Sequence, residues 1–288
     1  MTAAQPGAPD YGARIRRAQH LGTLHPFAAE ILSFYAHLTA FQQRLYTQLA
    51  QHGDNQPLLG PNDGLRSELN LAALLQFFPE LLALLQGVGP APVSEAARQL
   101  SLQGPAAWIT FLTVYWGAGG SVQHPAALEP QQPPDRAAEA LTDFALRVFL
   151  QPYAEFLVVH RPPPHLDGTQ RVCGLCGSAP LLGVLRPEGD GGKRRLVCSF
   201  CLNEWDFRRI LCPACGEEAE DKLPVYVAEQ FPHIRVESCE TCRFYIRTID
   251  LTKDGYAVPV VDDLAAIPLS LWAHEHNYSR LQSNLLGT

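Results

Sequence analysis

The sequence predicts an α+β multidomain protein, with an all-α N-terminal domain followed by two tandem rubredoxin-like or zinc-ribbon units and a C-terminal helix. Two observations predict this architecture. Apolar residues repeat at steps of three and four through the first 160 positions, the spacing of amphipathic helices. All eight cysteines lie between Cys173 and Cys242, in four C-x-x-C pairs. The predicted boundaries are 1–160 for the helical domain, 161–170 for a proline-rich linker, 171–211 and 212–261 for the two metal units, and 262–288 for the C-terminal helix.

The composition argues against several functional classes. Hydrophobic residues make up 47% of the 288 positions and charged residues 18%, which is a globular composition. The formal net charge of -7 argues against non-specific nucleic-acid binding, because phosphate contacts need a basic surface. The apolar stretch 108–116 is shorter than the roughly 20 residues of a membrane helix, so no membrane span is expected. The N-terminus lacks the apolar core of a secretory signal, which predicts a cytoplasmic protein with reduced thiols.

The helical domain is expected to begin after a weakly structured stretch at residues 1–24. Pro79 and Pro152 are expected to kink or split their helices, because proline removes a backbone donor and clashes with the preceding turn. The run of three prolines at 162–164 cannot continue a helix and predicts a stiff spacer, which places the domain boundary there. The predicted helices cover residues 26–53, 65–86, 94–100, 106–115 and 135–159.

The cysteine half is an internal repeat of strands and turns. In each unit a C-x-x-C pair opens the unit, a hairpin follows, and a second pair precedes a third strand. Cys173 and Cys212 are 39 positions apart, and Cys198 and Cys239 are 41 apart, which indicates a duplication. Each unit is too small to bury a sufficient core, so a bound ion is expected to supply much of its folding free energy. The predicted strands cover residues 181–185, 194–197, 204–210, 225–227, 234–236 and 244–249.

The four cysteine pairs predict two tetrathiolate metal sites. Two cysteines separated by two residues can present both sulfurs from one tight turn, and two such turns complete a tetrahedron around an ion. Gly177 and Gly216, each directly after a pair, permit the positive φ that such a turn often needs. The simplest grouping is tandem, although a crossed grouping would also satisfy the spacing. The candidate ligands are Cys173, Cys176, Cys198 and Cys201 for the first site and Cys212, Cys215, Cys239 and Cys242 for the second.

The identity and the role of the metal stay open at this point. Zinc and iron both suit tetrahedral sulfur, so the spacing does not separate them. Zinc ribbons mostly stabilise a fold, whereas an iron site of the rubredoxin kind carries electrons. A disulfide scaffold would need an oxidising compartment, and a thioredoxin-like dithiol would need a βαβ setting.

Three other features carry less information. A basic group surrounds the first unit, yet residues 173–247 hold 10 Lys and Arg against 11 Asp and Glu, which favours a solvated or protein-docking face over nucleic acid. His274 and His276 point about 200° apart on a helix and are expected at the surface. No catalytic triad, Walker loop or dinucleotide fingerprint is identifiable, so no catalytic residue is assigned. The basic group comprises Arg186, Lys193, Arg194, Arg195, Arg208 and Arg209.

Several motifs in the cysteine half match a known family. They are 173–180 (CGLCGSAP), 198–205 (CSFCLNEW), 212–216 (CPACG), 237–242 (ESCETC), and the tail 261–265 (VDDLA) with the stretch 269–278. With these motifs, residues 171–285 resemble the formate dehydrogenase accessory protein family, FdhE. The helical half fits that family by architecture only.

The resemblance implies a cytoplasmic maturation protein that is needed for active formate dehydrogenase and binds its catalytic subunit. It implies rubredoxin-like sites whose eight cysteines hold two ions, either iron or zinc, and it implies no enzymatic activity. The alternative interpretation is a rubredoxin-like protein that passes single electrons through iron held by four cysteines.

Overall fold

The computed structural model describes residues 7–52, 64–67, 69–118, 134–161, 167–189 and 191–287. The chain forms two compact units: residues 1–36 together with 163–288, and residues 37–162. The break at 162/163 lies within the predicted linker, whereas residues 1–36 group with the cysteine half and not with the helical domain to which the sequence assigns them. Periodicity shows which face of a helix is apolar but not which part of the chain covers that face. Residues 162–166 of the predicted proline linker lie outside the described residues.

Helix α1 (Tyr11–Leu24) occupies a stretch that was expected to be weakly structured. The Asp10 side chain caps it by accepting a hydrogen bond from the Ala13 N–H at 2.7 Å. The expectation was wrong because the scattered prolines and glycines before and within the stretch obscured this cap. Helix α1 contributes Ala18 and Leu21 to an apolar cluster that also holds Leu32, so the segment is fixed by burial as well as by its cap.

Residues 37–162 form a helical unit. It contains most of α2 (Ala29–His52), followed by α3 (Leu71–Leu74), α4 (Phe78–Val88), α5 (Ala91–Gly117) and α6 (Pro134–Val159). Phe78 lies at its centre, with ring centroids 5.5 Å from Trp108 and 4.9 Å from Phe149. Gly104 has a φ of 76° and precedes Pro105, so α5 is kinked where the sequence predicts a break between two short helices.

One stretch of the helical unit has the length and composition of a membrane span. Among the described residues only Leu71–Val88 meets these criteria, with a mean hydropathy of 1.6. This stretch is not the apolar segment 108–116, and the sequence predicts no membrane span. A short 3-10 turn interrupts Leu71–Val88 at Leu75–Phe77, and Phe78, Leu81 and Leu85 are buried. Length and hydropathy alone are therefore weak evidence that it crosses a membrane.

The cysteine half folds into one sheet within the described residues. Its strands are β1 (Pro180–Glu188), β2 (Gly191–Cys198), β3 (Glu204–Asp206), β4 (Val225–Val227), β5 (Ile234–Ser238) and β6 (Phe244–Asp250). The strand order is β3-β2-β1-β6-β5-β4, so each predicted unit contributes three antiparallel strands. The two triplets join through parallel pairing of β1 with β6, with Gly183 opposite Thr248 and Leu185 opposite Asp250. A Cβ on Gly183 would overlap Thr248 Oγ1, so glycine allows β1 and β6 to pack closely at this joint.

The C-terminal segment is not the single helix predicted for 262–288. It forms α7 (Pro259–Ala265), α8 (Ile267–Glu275) and the short strand β7 (Ser279–Arg280), which pairs with β6. Pro268 lies in the first turn of α8, and Asn277 adopts a φ of 60° that ends the helical run. Ala266, Leu269 and Ala273 of this segment cover Ile234 and Ile249 of the second triplet. The tail therefore supplies much of the apolar core for the second cysteine unit.

Candidate metal centres

The first cysteine group brings together the four residues that the tandem grouping predicts. Cys173 Sγ lies 3.7 Å from Cys201 Sγ, and Cys176 Sγ lies 3.3 Å from Cys198 Sγ. All four sulfurs lie within 4.8 Å of one another, and all four residues are at most 5% exposed. The sulfurs are free thiols rather than disulfides. All four side chains of this group are therefore shielded from solvent.

In both turns of the first group, the residue directly after the cysteine pair has a positive φ. The Gly177 N–H donates to the Cys173 carbonyl at 2.8 Å, and Gly177 has the predicted positive φ, at 75°. In the second turn, Leu202 takes the equivalent position with a φ of 54°. The Phe200 N–H donates to Cys198 Sγ at 3.4 Å, which stabilises negative charge on that sulfur.

The second cysteine group has the same arrangement but lies nearer the surface. Cys212 Sγ to Cys242 Sγ and Cys215 Sγ to Cys239 Sγ are both 3.7 Å. Cys212 and Cys239 are buried, Cys242 is half-buried and Cys215 is exposed. Cys212 and Cys239 also line a cavity of about 170 Å³ together with Val225. This group is thus open to solvent on one side.

The turns of the second group repeat those of the first. Gly216 has a φ of 83° as predicted, and its N–H donates to the Cys212 carbonyl at 3.0 Å. Arg243, directly after Cys242, has a φ of 60° and donates its N–H to the Cys239 carbonyl at 2.9 Å. The roles of Leu202 and Arg243 are not predicted by the sequence, because neither residue type signals a left-handed backbone. Their position after a C-x-x-C pair is the signal that would have found them.

Burial makes four thiolates in the first group costly without a cation. Burial raises the pKa of Cys198 and of Cys201, which opposes ionisation of both. Hydrogen bonds with Cys173 and Cys198 lower the pKa of Cys176, so the group readily forms one thiolate. Further thiolates at this distance need a positive charge between them.

Burial also opposes ionisation of cysteines in the second group, which lies nearer the surface. Burial raises the pKa of Cys212 and the pKa of Cys242. Burial alone would raise the pKa of Cys239. Hydrogen bonds from the backbone N–H groups of Cys242 and Thr241 outweigh this effect, so the pKa of Cys239 falls below its usual value. A divalent ion would favour all four ionised forms here as well.

The donor geometry of both groups fits a tetrahedral ion. Metal–sulfur bonds of about 2.3 Å at tetrahedral angles place neighbouring sulfurs about 3.8 Å apart. The four sulfur pairs above are separated by 3.3 to 3.7 Å. Four sulfur donors suit zinc and iron and disfavour magnesium or calcium, which take oxygen ligands. Each group can therefore hold one such ion.

A third group of potential ligands already contains a cation. His233, Asp254 and Asp262 come together in the described part of the chain. The Arg17 guanidinium lies among them, 2.5 Å from Asp262 Oδ1 and 2.8 Å from Asp254 Oδ2. His233 Nε2 lies 2.9 Å from Asp262 Oδ1. The positive charge of Arg17 compensates the negative charge of Asp254 and Asp262. The cluster is therefore an ion-pair network that links α1 to α7.

A buried charge network that the sequence does not predict joins the C-terminal tail to β6. Asp263 is fully buried and lies 2.8 Å from Arg247 Nε of β6 and 2.7 Å from Arg280 of β7. Asn284 donates to the same carboxylate at 2.9 Å. Although burial raises the pKa of Asp263, Arg247 and Arg280 lower it more, so this carboxylate stays ionised. The tail motif 261–265 thus fastens the tail to the second triplet.

The basic group around the first unit is largely paired with carboxylates. Arg194 is buried and lies 2.6 Å from Glu237, which links β2 to β5. Arg209 donates to the Gly192 carbonyl. Each of the remaining four basic residues lies within 4.0 Å of a carboxylate: Arg186 with Glu204, Lys193 and Arg195 with Asp206, and Arg208 with Glu218. His274 and His276 are exposed, as predicted.

Two family models match the cysteine half of the chain. The model described as "FdhE, central domain" matches residues 172–209, and the one described as "FdhE, C-terminal domain" matches residues 210–286. The crystal structure of the FdhE protein from Pseudomonas aeruginosa matches with a TM-score of 0.67 and 26% identity, over 98% of this chain and 97% of that one. The chain belongs to the FdhE family. The match extends through the helical half, which fits the family by architecture only on the sequence.

Curated FdhE relatives match over different lengths. The FdhE homologue of Aquifex aeolicus is 26% identical over 271 residues, which is 91% of this chain and 90% of that protein. The homologue of Haemophilus ducreyi is 32% identical over 113 residues, which is 39% of this chain and 37% of that protein. The chain is thus matched over little more than a third of the second relative's length.

Proposed function

We propose that this chain is a cytoplasmic, non-enzymatic accessory protein that binds the catalytic subunit of formate dehydrogenase and is needed for active enzyme. The observation that carries the proposal is the match of the two FdhE domain models to the two cysteine units. The function follows from what the resemblance implies for that family. The helical unit, whose described residues contain no cluster of metal ligands, would serve as a scaffold or as additional docking surface.

The eight cysteines would hold two metal ions, one in each group. Support comes from sulfur separations that match a tetrathiolate ion and from burial that opposes ionisation without one. The first ion would stabilise its unit. The second, next to an exposed cysteine and a cavity, would place an organised surface where a client can reach it.

The test is a gene deletion in a bacterium that encodes this chain. We expect formate dehydrogenase activity to fall to near background while the catalytic subunit is still synthesised, as judged by immunoblot. A plasmid copy of the wild-type gene should restore activity. Full activity in the deletion strain would refute the proposal.

A binding measurement addresses the partner directly. The purified full chain, immobilised, should retain purified catalytic subunit and should not retain the electron-transfer subunit of the same enzyme. Retention of neither subunit would contradict the partner assignment.

The one-electron redox interpretation is tested by a separate measurement. It requires a reversible, visible-absorbing iron couple in the pure protein. Colourless, zinc-loaded protein that restores dehydrogenase activity in the deletion strain would remove it.

A further inference from the structure

In the first unit, the outer edge of strand β1 pairs with a further strand, β6. In the second unit, the corresponding edge belongs to β4 and pairs with no further strand among the described residues. Residues can be matched by their distance from the second cysteine pair of each unit. Gly183 pairs with Leu196, two positions before Cys198, and Val225 pairs with Glu237, two positions before Cys239. The three residues of β4 (Val225–Val227) therefore correspond to residues 183–185 of β1.

Those three residues of β1 are the ones that accept a further strand. Residues 183–185 pair in parallel with residues 248–250 of β6. The corresponding strand β4 ends the sheet within the described residues. Three residue pairs suffice for the internal joint, so the shortness of β4 does not prevent it from accepting a strand.

The backbone of β4 presents its hydrogen-bonding groups on the open edge. The Pro224 carbonyl accepts from the Ser238 N–H at 3.1 Å and so faces β5. Successive residues of a strand alternate in the direction of their backbone groups. The groups of Val225 and Val227 therefore face away from β5. Leu185 is the counterpart of Val227 in the first unit. Its outward carbonyl is paired, because it accepts a hydrogen bond from the Leu251 N–H at 2.9 Å.

The side chains on β4 are apolar and exposed. Val225 is 51% exposed, Tyr226 36% and Val227 52%. Natural proteins commonly protect edge strands with lysine, inward charges or bulges, and residues 225–227 contain no charged residue. Tyr226 rests on Trp272 at 4.6 Å between ring centroids, which holds the strand in place. Such an edge is suited to strand addition by another polypeptide.

A second copy of this chain is not suited to fill the edge by repeating the internal joint. The strand that would do so is β3, the counterpart of β6. Its continuation is already occupied, because the Arg208 N–H donates to the Gly168 carbonyl at 2.9 Å and Trp205 Nε1 donates to the Gln170 carbonyl at 2.8 Å. This observation favours a different polypeptide as the occupant.

We infer that β4 is the docking edge for the client, and that an extended apolar segment of the formate dehydrogenase catalytic subunit adds to it as a parallel strand, in the way that β6 adds to β1. This inference rests on the proposed function. Val225 lines the same cavity as Cys212 and Cys239, so the docked strand would lie beside the open cysteine group.

The test compares binding of the purified catalytic subunit to three forms of the full chain. Val227→Pro removes an outward N–H without removing a bond to β5, since proline is tolerated on edge strands in that position. We expect its Kd to rise by at least about tenfold. Val227→Ala keeps the N–H and should stay within about threefold of the wild type. Metal content and melting temperature of each form control for folding.

Hydrogen exchange on the wild-type chain tests the same inference without a substitution. In the free chain the Val227 amide should exchange rapidly, while the Leu185 amide, covered by β6, should be protected. Adding the catalytic subunit should protect Val227. Unchanged exchange at Val227 in a formed complex, or wild-type affinity of a folded Val227→Pro variant, would overturn the inference and leave the proposed function intact. Failure of the wild type to bind at all would instead count against the proposed function.

Discussion

The two cysteine units share one motif but are stabilised differently. In the first, all four cysteines are buried, and Phe200 and Trp205 beside them are buried as well. In the second, Cys215 is exposed, and the C-terminal tail completes the apolar cluster. The comparison teaches that a duplicated metal motif can act as a core in one copy and lie at a surface in the other.

The largest expected effect separates the two cysteine groups directly. Cys201→Ser should abolish cooperative melting of the first unit, because a structural tetrathiolate ion contributes on the order of 10 kcal/mol, more than a typical domain can lose, and all four of its cysteines are buried. Cys215→Ser, at the exposed position, should leave a folded protein with a weaker second site. Calorimetry and metal content measure both. Equal losses in the two variants would contradict the comparison.

The next effect concerns the support that the tail gives the second unit. Asp263→Asn should destabilise the protein by about 3–5 kcal/mol, because it leaves Arg247 and Arg280 without their buried counter-charge. The matched control Asp254→Asn, on a partly exposed carboxylate, should cost about 1 kcal/mol or less. Urea denaturation measures both.

The difference in stability between the wild type and Asp263→Asn should depend on pH, because the pKa of Asp263 is lowered in the folded protein. A carboxylate with a depressed folded pKa contributes stability above its unfolded value of about 4 and loses that contribution as pH falls through the folded value. The wild type should therefore exceed Asp263→Asn in stability above about pH 4, and the difference should shrink in acid. A constant difference across this range would show that Asp263 does not act through its charge.

A smaller effect tests the joint between the two units. Gly183→Ala should cost about 1–3 kcal/mol, since the new Cβ would overlap Thr248 Oγ1 across β1 and β6. Gly191→Ala, where nothing lies within 4 Å, should change stability by no more than about 0.5 kcal/mol. Thermal denaturation of the two variants distinguishes a joint that is tightly packed from one that is not.

The smallest expected effect is a difference in the alkylation rates of exposed and buried cysteines. On the protein as purified, without chelator, iodoacetamide should modify Cys215 at least about tenfold faster than Cys198 and Cys201, because alkylation needs an accessible thiolate. Peptide mass spectrometry gives the rates. Uniform labelling of all eight cysteines would mean that the difference in burial does not govern access.

The sequence was most informative where chemistry constrains spacing. The four C-x-x-C pairs predicted the tandem grouping, the hairpins and the positive φ of Gly177 and Gly216, because sulfur geometry and turn sterics are local. Pairings between distant segments were not predicted. The parallel β1–β6 joint, the Asp263 network and the packing of α1 against α7 depend on contacts that periodicity does not encode. The tail was predicted as one helix because its apolar spacing is helical on both sides of Pro268.

The most direct test of the account is the metal content and sulfur coordination of the protein purified without added metal. Elemental analysis should give two ions of iron or zinc per chain, and X-ray absorption should show four sulfur neighbours at about 2.3 Å around each. Less than one ion per chain, a nitrogen- or oxygen-rich shell, or cystines among the eight cysteines would contradict it.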